Sequence, residues 1–412
     1  MRSFGIIIYS LITVSLCAQN PLGFDFDSNQ TMAEVDFIKE SNLIVLPINI
    51  NGQGPYNFIL DTGSESGMIF DRAIVGEDNL SNAREIPIRT KDGLDTLELL
   101  VADGIQIDFP GIKGNEQSLL VFKENKLDIR NVIGIEAHGV LGSELFNRFV
   151  VEVDYENGKL RLYEPNSLDI PKGYKRQRIF VDNFRPYIRT EIKQRGNRPV
   201  EVNLLVDSGV SSAMFLDYEK HDFIDLPEKV VEHKLGSSLV GDLEGSLGRI
   251  SKIKIAKGLK FRSVVSSFPV NWEIEKNIEN AHHKFTRHGT LGSDILSRFN
   301  VFLDYFNEQI YFKPNEKYKK PFSFNRVGFT FAAGGRDLSE YYITEIIDGS
   351  PAQSSGLQSG DKIISIDGKP TYFYSFSDIN SIIKGSVGKK LTIIVQRDNQ
   401  LIKKTIKLKK LI

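Results

Sequence analysis

The alternation of apolar and polar positions predicts a chain built mostly from β-strands. Residues 43–50 and 58–60 are apolar runs on either side of Asn-Gly-Gln-Gly-Pro at 51–55, a combination that is typical of a β-hairpin. The second run ends in Asp-Thr-Gly at 61–63, and a glycine directly after a strand predicts a sharp turn. The pattern therefore predicts a carboxylate at the tip of a strand.

A second copy of this pattern occurs in the other half of the chain. Residues 202–206 form an apolar run that ends in Asp-Ser-Gly at 207–209, which lies 146 positions after the first such turn. A second marker, Gly-Val-Leu-Gly-Ser at 139–143, returns 150 positions later as Gly-Thr-Leu-Gly-Ser at 289–293. Because two separate markers repeat at nearly the same spacing, the sequence indicates a duplicated unit.

Each half is predicted to be all-β with one short helix, at residues 143–148 in the first half and 293–298 in the second. Residues 20–34 are predicted to be a polar leader ahead of the first strands. Further hairpins are predicted at 85–101 and in the glycine-rich run 236–248.

The two Asp-Thr/Ser-Gly turns, each followed some eighty residues later by an apolar-apolar-Gly segment, resemble the aspartic proteases, and the Leu-Gly-Ser-Glu/Asp form of the second marker looks most like their retropepsin-like branch. The resemblance covers residues 35–315. It implies two tandem acid-protease lobes in a bilobal β-barrel architecture. It also implies that the two further hairpins are flaps over bound peptide, for which a plain surface turn is the alternative.

A separate module is predicted after Pro321. Residues 346–368 resemble the core of PDZ domains from exported bacterial proteases, a β-sandwich with two short helices, here at 351 and 377–383. PDZ domains add a peptide as an extra strand and hold its terminal carboxylate with backbone N–H groups. The residues that match the loop for this role are Val327, Gly328, Phe329 and Thr330. The alternative is a spacer domain that binds no peptide.

Two carboxylates held about 3 Å apart share one proton, so one of them can activate water while the other protonates the leaving nitrogen. Asp61 and Asp207 are the predicted pair, with no metal or cofactor. The resemblance implies that the hydroxyls of Thr62 and Ser208 lock the two turns together. The supporting residues are Thr62, Gly63, Ser64, Ser208 and Gly209.

The two turns are not identical, because Ser64 has a hydroxyl where Val210 has none. We expect Ser64 to donate to Asp61 and the pKa of Asp207 to be raised by the missing bond. The other repeated acids, Asp71 and Asp217, are predicted to be structural, while Asp154 and Asp304 are predicted to end strands or cap turns. The histidines at 282, 283 and 288 are predicted to lie in a solvated loop.

The first residues have the make-up of a secretory signal peptide, with Arg2 before an apolar stretch at 6–16 and a small-residue exit at Cys17-Ala18. A lipid anchor on Cys17 is the less favoured alternative. Cys17 is the only cysteine among 412 residues, so a mature chain without it forms no disulfide. A formal net charge of −1 gives no reason to expect nucleic acid or an anionic membrane as partner.

The sequence therefore predicts an exported aspartic endopeptidase, periplasmic or secreted, that cleaves extended polypeptides and whose PDZ domain recruits or positions substrate C-termini. The alternative is a non-catalytic peptide-binding protein that keeps the protease fold. The predicted domains are a signal peptide at 1–18, a first lobe at 35–170, a second lobe at 171–318 and a PDZ domain at 322–412.

Overall fold

The computed structural model describes residues 23–89, 96–124, 129–238, 241–270 and 286–412. The predicted signal peptide, Cys17, His282 and His283 lie outside the described residues. We call residues 23–163 the first repeat, residues 175–314 the second repeat, and the residues after 314 the C-terminal domain. The strands of the first repeat are β1 (Gly23–Phe26), β2 (Met32–Asp36), β3 (Ile38–Glu40), β4 (Leu43–Ile50), β5 (Gln53–Leu60), β6 (Met68–Ile69), β7 (Arg84–Arg89), β8 (Thr96–Phe109), β9 (Ile112–Phe122), β10 (Gly139–Leu141), β11 (Val150–Asp154) and β12 (Lys159–Tyr163).

The other strands and the helices follow in chain order. The second repeat contains β13 (Lys175–Asp182), β14 (Arg185–Lys193), β15 (Val200–Val206), β16 (Met214–Leu216), β17 (Val231–Ser238), β18 (Gly241–Ala256), β19 (Leu259–Pro269), β20 (Gly289–Leu291), β21 (Phe299–Asp304) and β22 (Gln309–Pro314). The C-terminal domain contains β23 (Phe329–Gly334), β24 (Glu340–Ile346), β25 (Lys362–Ile366), β26 (Lys369–Pro370), β27 (Lys390–Arg397) and β28 (Gln400–Lys407). The helices are α1 (Glu77–Leu80), α2 (Ile129–Ile133), α3 (Ser293–Leu296), α4 (Pro351–Ser354) and α5 (Phe376–Ile383), with 3₁₀ turns at Arg72–Ile74 and Thr371–Phe373.

The protein is therefore mostly β, as the apolar pattern predicts. The sheet of the first repeat has the order β1-β9-β6-β10-β5-β4-β8-β7, and it curls back on itself because β8 also pairs with β9. The predicted hairpin at 43–60 is confirmed as β4 and β5, with Val45 opposite Ile59. The hairpin predicted at 85–101 is confirmed by the pairing of β7 with β8, and its tip at 90–95 lies outside the described residues.

The two repeats share one sheet, because β11 pairs antiparallel with β21 and places Val151 opposite Leu303. That sheet runs in the order β17-β18-β19-β16-β20-β15-β14-β13-β22-β21-β11-β12-β2. Most buried apolar residues of the two repeats form one continuous core, a smaller cluster around Val45 and Ile59 lies in the first repeat, and the C-terminal domain has a core of its own. The repeats therefore cannot separate without exposing apolar surface to water, which is unfavourable.

The two repeats have the same internal register, which confirms the duplication. β10 runs parallel to β5 with Leu141 opposite Leu60, and β20 runs parallel to β15 with Leu291 opposite Val206. The glycine-rich hairpin of the second repeat is formed by β17 and β18, with residues 239–240 at its tip outside the described part of the chain.

Two predicted elements differ in the structure. Residues 143–148 form a turn instead of a helix. The amide of Asn147 bonds the carbonyl of Ser143, whereas α3 has two consecutive bonds of this kind, from Leu296 to Gly292 and from Ser297 to Ser293. The matching segment of the second repeat does form the short helix α3. The predicted polar leader contains β1, because the side chain of Phe24 is buried where β1 pairs with β9.

The C-terminal domain is a six-stranded sheet in the order β23-β24-β25-β27-β28, with β26 on β25, and helices α4 and α5 lie at the positions that the sequence predicts. It contacts both repeats. The ring of Phe376 lies against Gly134 just after α2, and the guanidinium of Arg249 in β18 donates to the carbonyl of Phe322 at 3.1 Å. Within the described ranges, no helix has the length and apolar character needed to cross a membrane.

Candidate functional site

Two strand ends bring Asp61 and Asp207 together. The amide of Asp61 donates to the carbonyl of Leu141 at 2.9 Å, and the amide of Asp207 donates to Leu291 at 3.0 Å. The second marker of each repeat therefore holds the strand that ends in the aspartate. This explains why the two markers recur together although about eighty residues separate them.

Two hydroxyl groups cross between the repeats directly below the carboxylates. The hydroxyl of Thr62 donates to the carbonyl of Val206 at 2.7 Å and accepts from the amide of Ser208 at 3.0 Å. In return, the hydroxyl of Ser208 donates to Leu60 at 2.7 Å and accepts from the amide of Thr62 at 3.0 Å. We call these four hydrogen bonds the hydroxyl bridge. Because both hydroxyl groups are buried, water cannot replace the bonds.

The glycines of the two turns leave room for the opposite carboxylate. A methyl group at Gly63 would lie 2.6 Å from Oδ2 of Asp207, and one at Gly209 would lie 2.4 Å from Cγ of Asp61. Each glycine also donates its amide to the aspartate of its own turn, at 2.7 Å for Gly63 and 2.8 Å for Gly209. Only glycine therefore lets the two carboxyl groups approach each other.

The two carboxyl groups form a coupled pair with unequal pKa values. Burial raises the pKa of Asp61, although the amide of Gly63 and the neighbouring carboxyl group of Asp207 oppose this. Burial and then the charge of Asp61 raise the pKa of Asp207 well above its usual range. Two neighbouring buried acids whose pKa values are both raised are suited to holding one proton between them.

The prediction that the Ser64 hydroxyl donates to Asp61 is wrong. Its Oγ donates to the carbonyl of Ser66 at 2.7 Å, within the same turn. Only the backbone amide of Ser64 interacts with the carboxyl group of Asp61, and it lowers the pKa of Asp61. Val210 likewise offers its amide to Asp207, at 3.1 Å. The asymmetry between the two acids therefore does not come from a missing hydroxyl.

One source of asymmetry that the sequence analysis missed is Arg287. Its positive charge lowers the pKa of Asp207 and opposes the effect of burial. The guanidinium donates from Nη2 to the hydroxyl of Thr290 at 2.7 Å, which holds it at the start of β20. The feature of the sequence that could have indicated this is the position of Arg287, two residues before Gly289, where the second marker of the second repeat begins.

The prediction that His288 lies in a solvated loop is wrong. Its Nδ1 accepts from the amide of Asn203 at 2.9 Å, and its ring lies 4.5 Å from that of His221. Burial and then the charge of His221 lower the pKa of His288 to about 4. His138 accepts from the amide of Asn57 in the same way, at 3.1 Å. The histidine is thus part of the repeat, which the offset of 150 residues could have revealed.

Two contacts across the repeats lie four residues after each aspartate. Asn42 donates from Nδ2 to the carbonyl of Ser211 at 3.2 Å, and the guanidinium of Arg185 lies 3.2 Å from Glu65. Each contact therefore joins one repeat to the segment that follows the aspartate of the other repeat. Sequence reasoning found neither contact.

The other repeated acids have structural roles, as predicted. Asp71 accepts from the amide of Ala73 at the start of a 3₁₀ turn, and the buried Asp217 accepts from the amide of Lys220. Asp154 and Asp304 cap the turns that follow β11 and β21, at 3.1 and 3.0 Å.

The loop predicted to hold a peptide carboxylate already has an internal partner. The amides of Val327 and Gly328 donate to Oδ1 of Asn325 at 3.1 and 2.9 Å. The side chains of Val327 and Phe329 are buried in the domain core, whereas Thr330 is partly exposed. A ligand carboxylate that used these two amides would have to displace Asn325.

Comparisons with known proteins describe only part of the chain. Residues 342–397 match the family described as "PDZ domain". A solved PDZ domain of HtrA3 bound to a phage-derived ligand is similar over 21% of this chain and 86% of that one, with 22% identity and a TM-score of 0.19. The photosystem II D1 C-terminal processing protease is similar over 21% of this chain and 23% of that one, with 17% identity and a TM-score of 0.20.

Curated relatives contradict the predicted function. A "Putative zinc metalloprotease" of Brucella suis is 33% identical over 72 residues, which are 18% of this chain and 18% of that protein. One of Treponema pallidum is 36% identical over 72 residues, 18% of this chain and 16% of that protein. The chain thus spans less than a fifth of the relatives' length. Because these names denote another protease class, the expectation of an aspartic endopeptidase is wrong as stated. The relatives support the broader class of peptide hydrolases.

The residues of this chain do not fit the zinc ion that those names imply. Within the described ranges, no group of three or more His, Cys, Asp or Glu side chains is placed to hold a metal ion. Zinc in hydrolases is held by three such side chains and an open position for water. What the comparisons establish is the identity of one part: the C-terminal domain of this chain is a PDZ domain.

Proposed function

We propose that this chain is a peptide hydrolase in which the carboxyl groups of Asp61 and Asp207 exchange the protons of the reaction. The observation that carries the proposal is the coupled acid pair, whose pKa values are raised by burial and whose two turns are locked by the hydroxyl bridge. Perturbed acids that share a cleft are candidate catalytic groups.

The chemistry follows from one shared proton. The ionised carboxylate accepts a proton from a water molecule as the water attacks the peptide carbonyl carbon, and the protonated carboxyl donates to the leaving nitrogen. The supporting residues keep the pair in place: Thr62 and Ser208 through the hydroxyl bridge, Gly63 and Gly209 through close approach, and Ser64 through its backbone amide.

The finer assignments belong to the same proposal. Two repeats that each present an aspartate at a strand end support the retropepsin-like resemblance as the finer form of the fold. Val327, Gly328, Phe329 and Thr330 remain candidates for contact with a bound peptide, because they lead into β23 at the edge of the PDZ sheet. Export remains a prediction, since residues 1–18 lie outside the described ranges.

The test is the release of new amino termini from a reduced, unfolded protein between pH 3 and 8. We expect Asp61→Asn and Asp207→Asn each to reduce the rate by at least about a hundredfold, because removal of one acid leaves no partner for proton exchange. Asp71→Asn is the matched control, since this repeated aspartate caps a 3₁₀ turn, and it should retain the activity of the unmodified chain.

A parallel reaction with EDTA separates this proposal from the class named for the relatives. Activity that survives both Asn substitutions and disappears on chelation would move the reaction to a metal site and refute the role of the acid pair. Activity that is insensitive to EDTA and lost in both variants would support it.

A further inference from the structure

Two hydrogen bonds lead from the first repeat to the acid turn of the second. The hydroxyl of Tyr155, directly after β11, has a hydrogen bond with Ser293, the first residue of α3. The hydroxyl of Ser293 donates to the carbonyl of Ser208 at 2.9 Å. Because a serine hydroxyl has a single hydrogen, Tyr155 is the donor in the first of these two bonds. We call the two bonds the tyrosine–serine link.

The link ends on the peptide group that holds the carboxylate of Asp207. The carbonyl of Ser208 and the amide of Gly209 belong to one planar peptide group. That amide donates to Oδ1 of Asp207 at 2.8 Å. A hydrogen bond to the carbonyl of a peptide group strengthens the donor at its nitrogen, because the two bonds polarise each other. The hydroxyl of Ser293 thus orients the amide and strengthens its bond to the carboxylate.

Both bonds of the link are shielded from water. Tyr155 and Ser208 are buried, and Ser293 has no exposed surface. A buried acceptor that loses its only side-chain donor in such a place stays unpaired, because water cannot take over the bond. The orientation of the Ser208 carbonyl therefore depends on the hydroxyl of Ser293.

The matching serine of the first repeat supports a different group. Ser143 corresponds to Ser293, but its hydroxyl donates to the carbonyl of Glu65 at 2.6 Å. Its single hydrogen is therefore not available to the carbonyl of Thr62, which corresponds to that of Ser208. The peptide group that donates to Asp61 thus lacks the hydroxyl support that the second repeat has.

The matching tyrosine of the first turn is also unpaired. Tyr305 corresponds to Tyr155, and its buried hydroxyl has no hydrogen-bond partner among the described residues. The oxygen of Ser143 accepts instead from Nδ2 of Asn147 at 3.3 Å. The second repeat has Ser297 where the first has Asn147, so this competing donor is absent there. The tyrosine–serine link therefore supports only the turn of Asp207.

We propose that Ser293 is a positioning residue for the acid pair: held by Tyr155 of the other repeat, it aligns the peptide amide that donates to Asp207. The ionised form of Asp207 is the form that gains from a better donor. The consequence for catalysis rests on the proposed function, in which ionisation of the second acid ends activity at alkaline pH. The hydrogen bonds themselves do not depend on that function.

Three other groups also face Asp207. The charge of Asp61 raises the pKa of Asp207, and the guanidinium of Arg287 lowers it. The charges of both acids act on the buried hydroxyl of Tyr305. Because Ser293→Ala leaves all three groups in place, a changed titration of Asp207 in that variant reports the loss of the link.

The test follows the side-chain carboxyl carbon of Asp207 by NMR during a pH titration of the full chain, labelled with isotope at the carboxyl carbon of aspartate. Comparison with Asp61→Asn and Asp207→Asn assigns the resonance. We expect Ser293→Ala to move the titration of Asp207 to higher pH by a few tenths of a unit, up to about 0.7, since cooperativity contributes about a tenth to a third of a hydrogen bond to a charged group. Tyr155→Phe should act in the same direction by a smaller amount.

The first repeat supplies matched controls. Ser143→Ala and Tyr305→Phe remove the same chemical groups, and each should move the titration of Asp207 by less than about 0.1 units. Ser293→Cys keeps a weaker donor of similar size, so its shift should lie between those of the unmodified chain and Ser293→Ala. This variant protects the conclusion if Ser293→Ala disturbs folding.

The pH–rate profile of peptide hydrolysis gives a second measurement. Its alkaline limb should move to higher pH in Ser293→Ala by the amount that NMR reports, and it should stay in place in Ser143→Ala. In a chain that releases no new amino termini, the NMR titration alone decides the role of Ser293. Failure of the proposed function and failure of this inference are therefore distinguishable.

Two results would overturn the inference. The first is a titration of Asp207 that moves by less than about 0.1 units, or to lower pH, in Ser293→Ala. The second is an equal shift in Ser143→Ala, which would show that the loss of any buried hydroxyl near the pair has this effect.

Discussion

The hydroxyl bridge gives a sharp prediction for Thr62→Val. The substitution keeps the shape of the side chain but removes the donor to Val206 and the acceptor for the amide of Ser208. Both partners are backbone groups in a buried environment, and Thr62 itself has no exposed surface. A buried polar group left without a partner costs about 1–3 kcal/mol, so we expect the free energy of unfolding of the paired repeats to fall by about 2–5 kcal/mol.

The measurement combines urea unfolding, followed by circular dichroism, with hydrogen–deuterium exchange of the peptides that contain residues 60–64 and 204–210. Exchange should accelerate in both peptides, because each hydroxyl bonds the other repeat. Ser208→Ala should act in the same way through Leu60 and Thr62. Thr344→Val is the matched control, since its hydroxyl bonds Thr330 at the surface, and it should change stability by less than about 0.5 kcal/mol.

A loss of less than about 1 kcal/mol for Thr62→Val would refute the reasoning, because it would mean that water or a shift of the turns satisfies the two backbone groups. Faster exchange confined to residues 60–64 would also contradict it. In that case the bond across the repeats would not limit the opening of the second turn.

Three further predictions follow from single side chains. Tyr305→Phe should leave the free energy of unfolding unchanged or raise it by up to about 1 kcal/mol, because the buried Tyr305 hydroxyl has no hydrogen-bond partner among the described residues. Tyr155→Phe at the matching position should lower it by about 1 kcal/mol, because the Tyr155 hydroxyl has a hydrogen bond with Ser293. Thermal unfolding of the two variants measures the difference. Burial raises the pKa of Glu144, so the stability that its protonated form contributes is present at low pH and is lost as the pH rises through that pKa. In a plot of the urea midpoint against pH, Glu144→Gln should therefore flatten the fall in this range. Arg287→Met removes a positive charge, so it should raise the pKa of Asp207 and move the alkaline limb of the pH–rate profile to higher pH. Arg287→Lys keeps the charge and should leave that limb near its original position. A shift of the limb to lower pH in Arg287→Met would contradict the reasoning.

Local features of the fold could be predicted from the sequence because they depend on neighbouring residues. Apolar runs around Gly-rich turns predicted the β4–β5 hairpin. Pro351 predicted the start of α4, and the structure shows that Ser350 caps this helix. The repeat of two markers predicted that the two aspartates occupy matching strand ends. The offset of 150 residues also relates His138 to His288, although the sequence analysis placed His288 in a solvated loop.

Features that depend on the exact backbone geometry or on distant contacts could not be predicted in this way. Residues 143–148 do not form the predicted helix, although their sequence closely matches that of α3. One backbone hydrogen bond decides whether so short a segment becomes a helix. The Ser64 hydroxyl bonds within its own turn, and Arg287 acts on Asp207 from the end of another loop. Such outcomes depend on which donors and acceptors the folded backbone brings within bonding distance.

The sequence by itself determined the doubled acid turn, the strands that carry it and the PDZ domain, because periodicity and turn chemistry act over a few residues. Only the tertiary structure decided that the two hydroxyls bond across the repeats, that Asn325 occupies the amides of its own loop, and that Tyr155 of one repeat bonds Ser293 of the other. The physical reason is that each of these depends on groups from separate segments meeting in space. The free energy of those contacts is a property of the packed chain, and sequence spacing does not specify it.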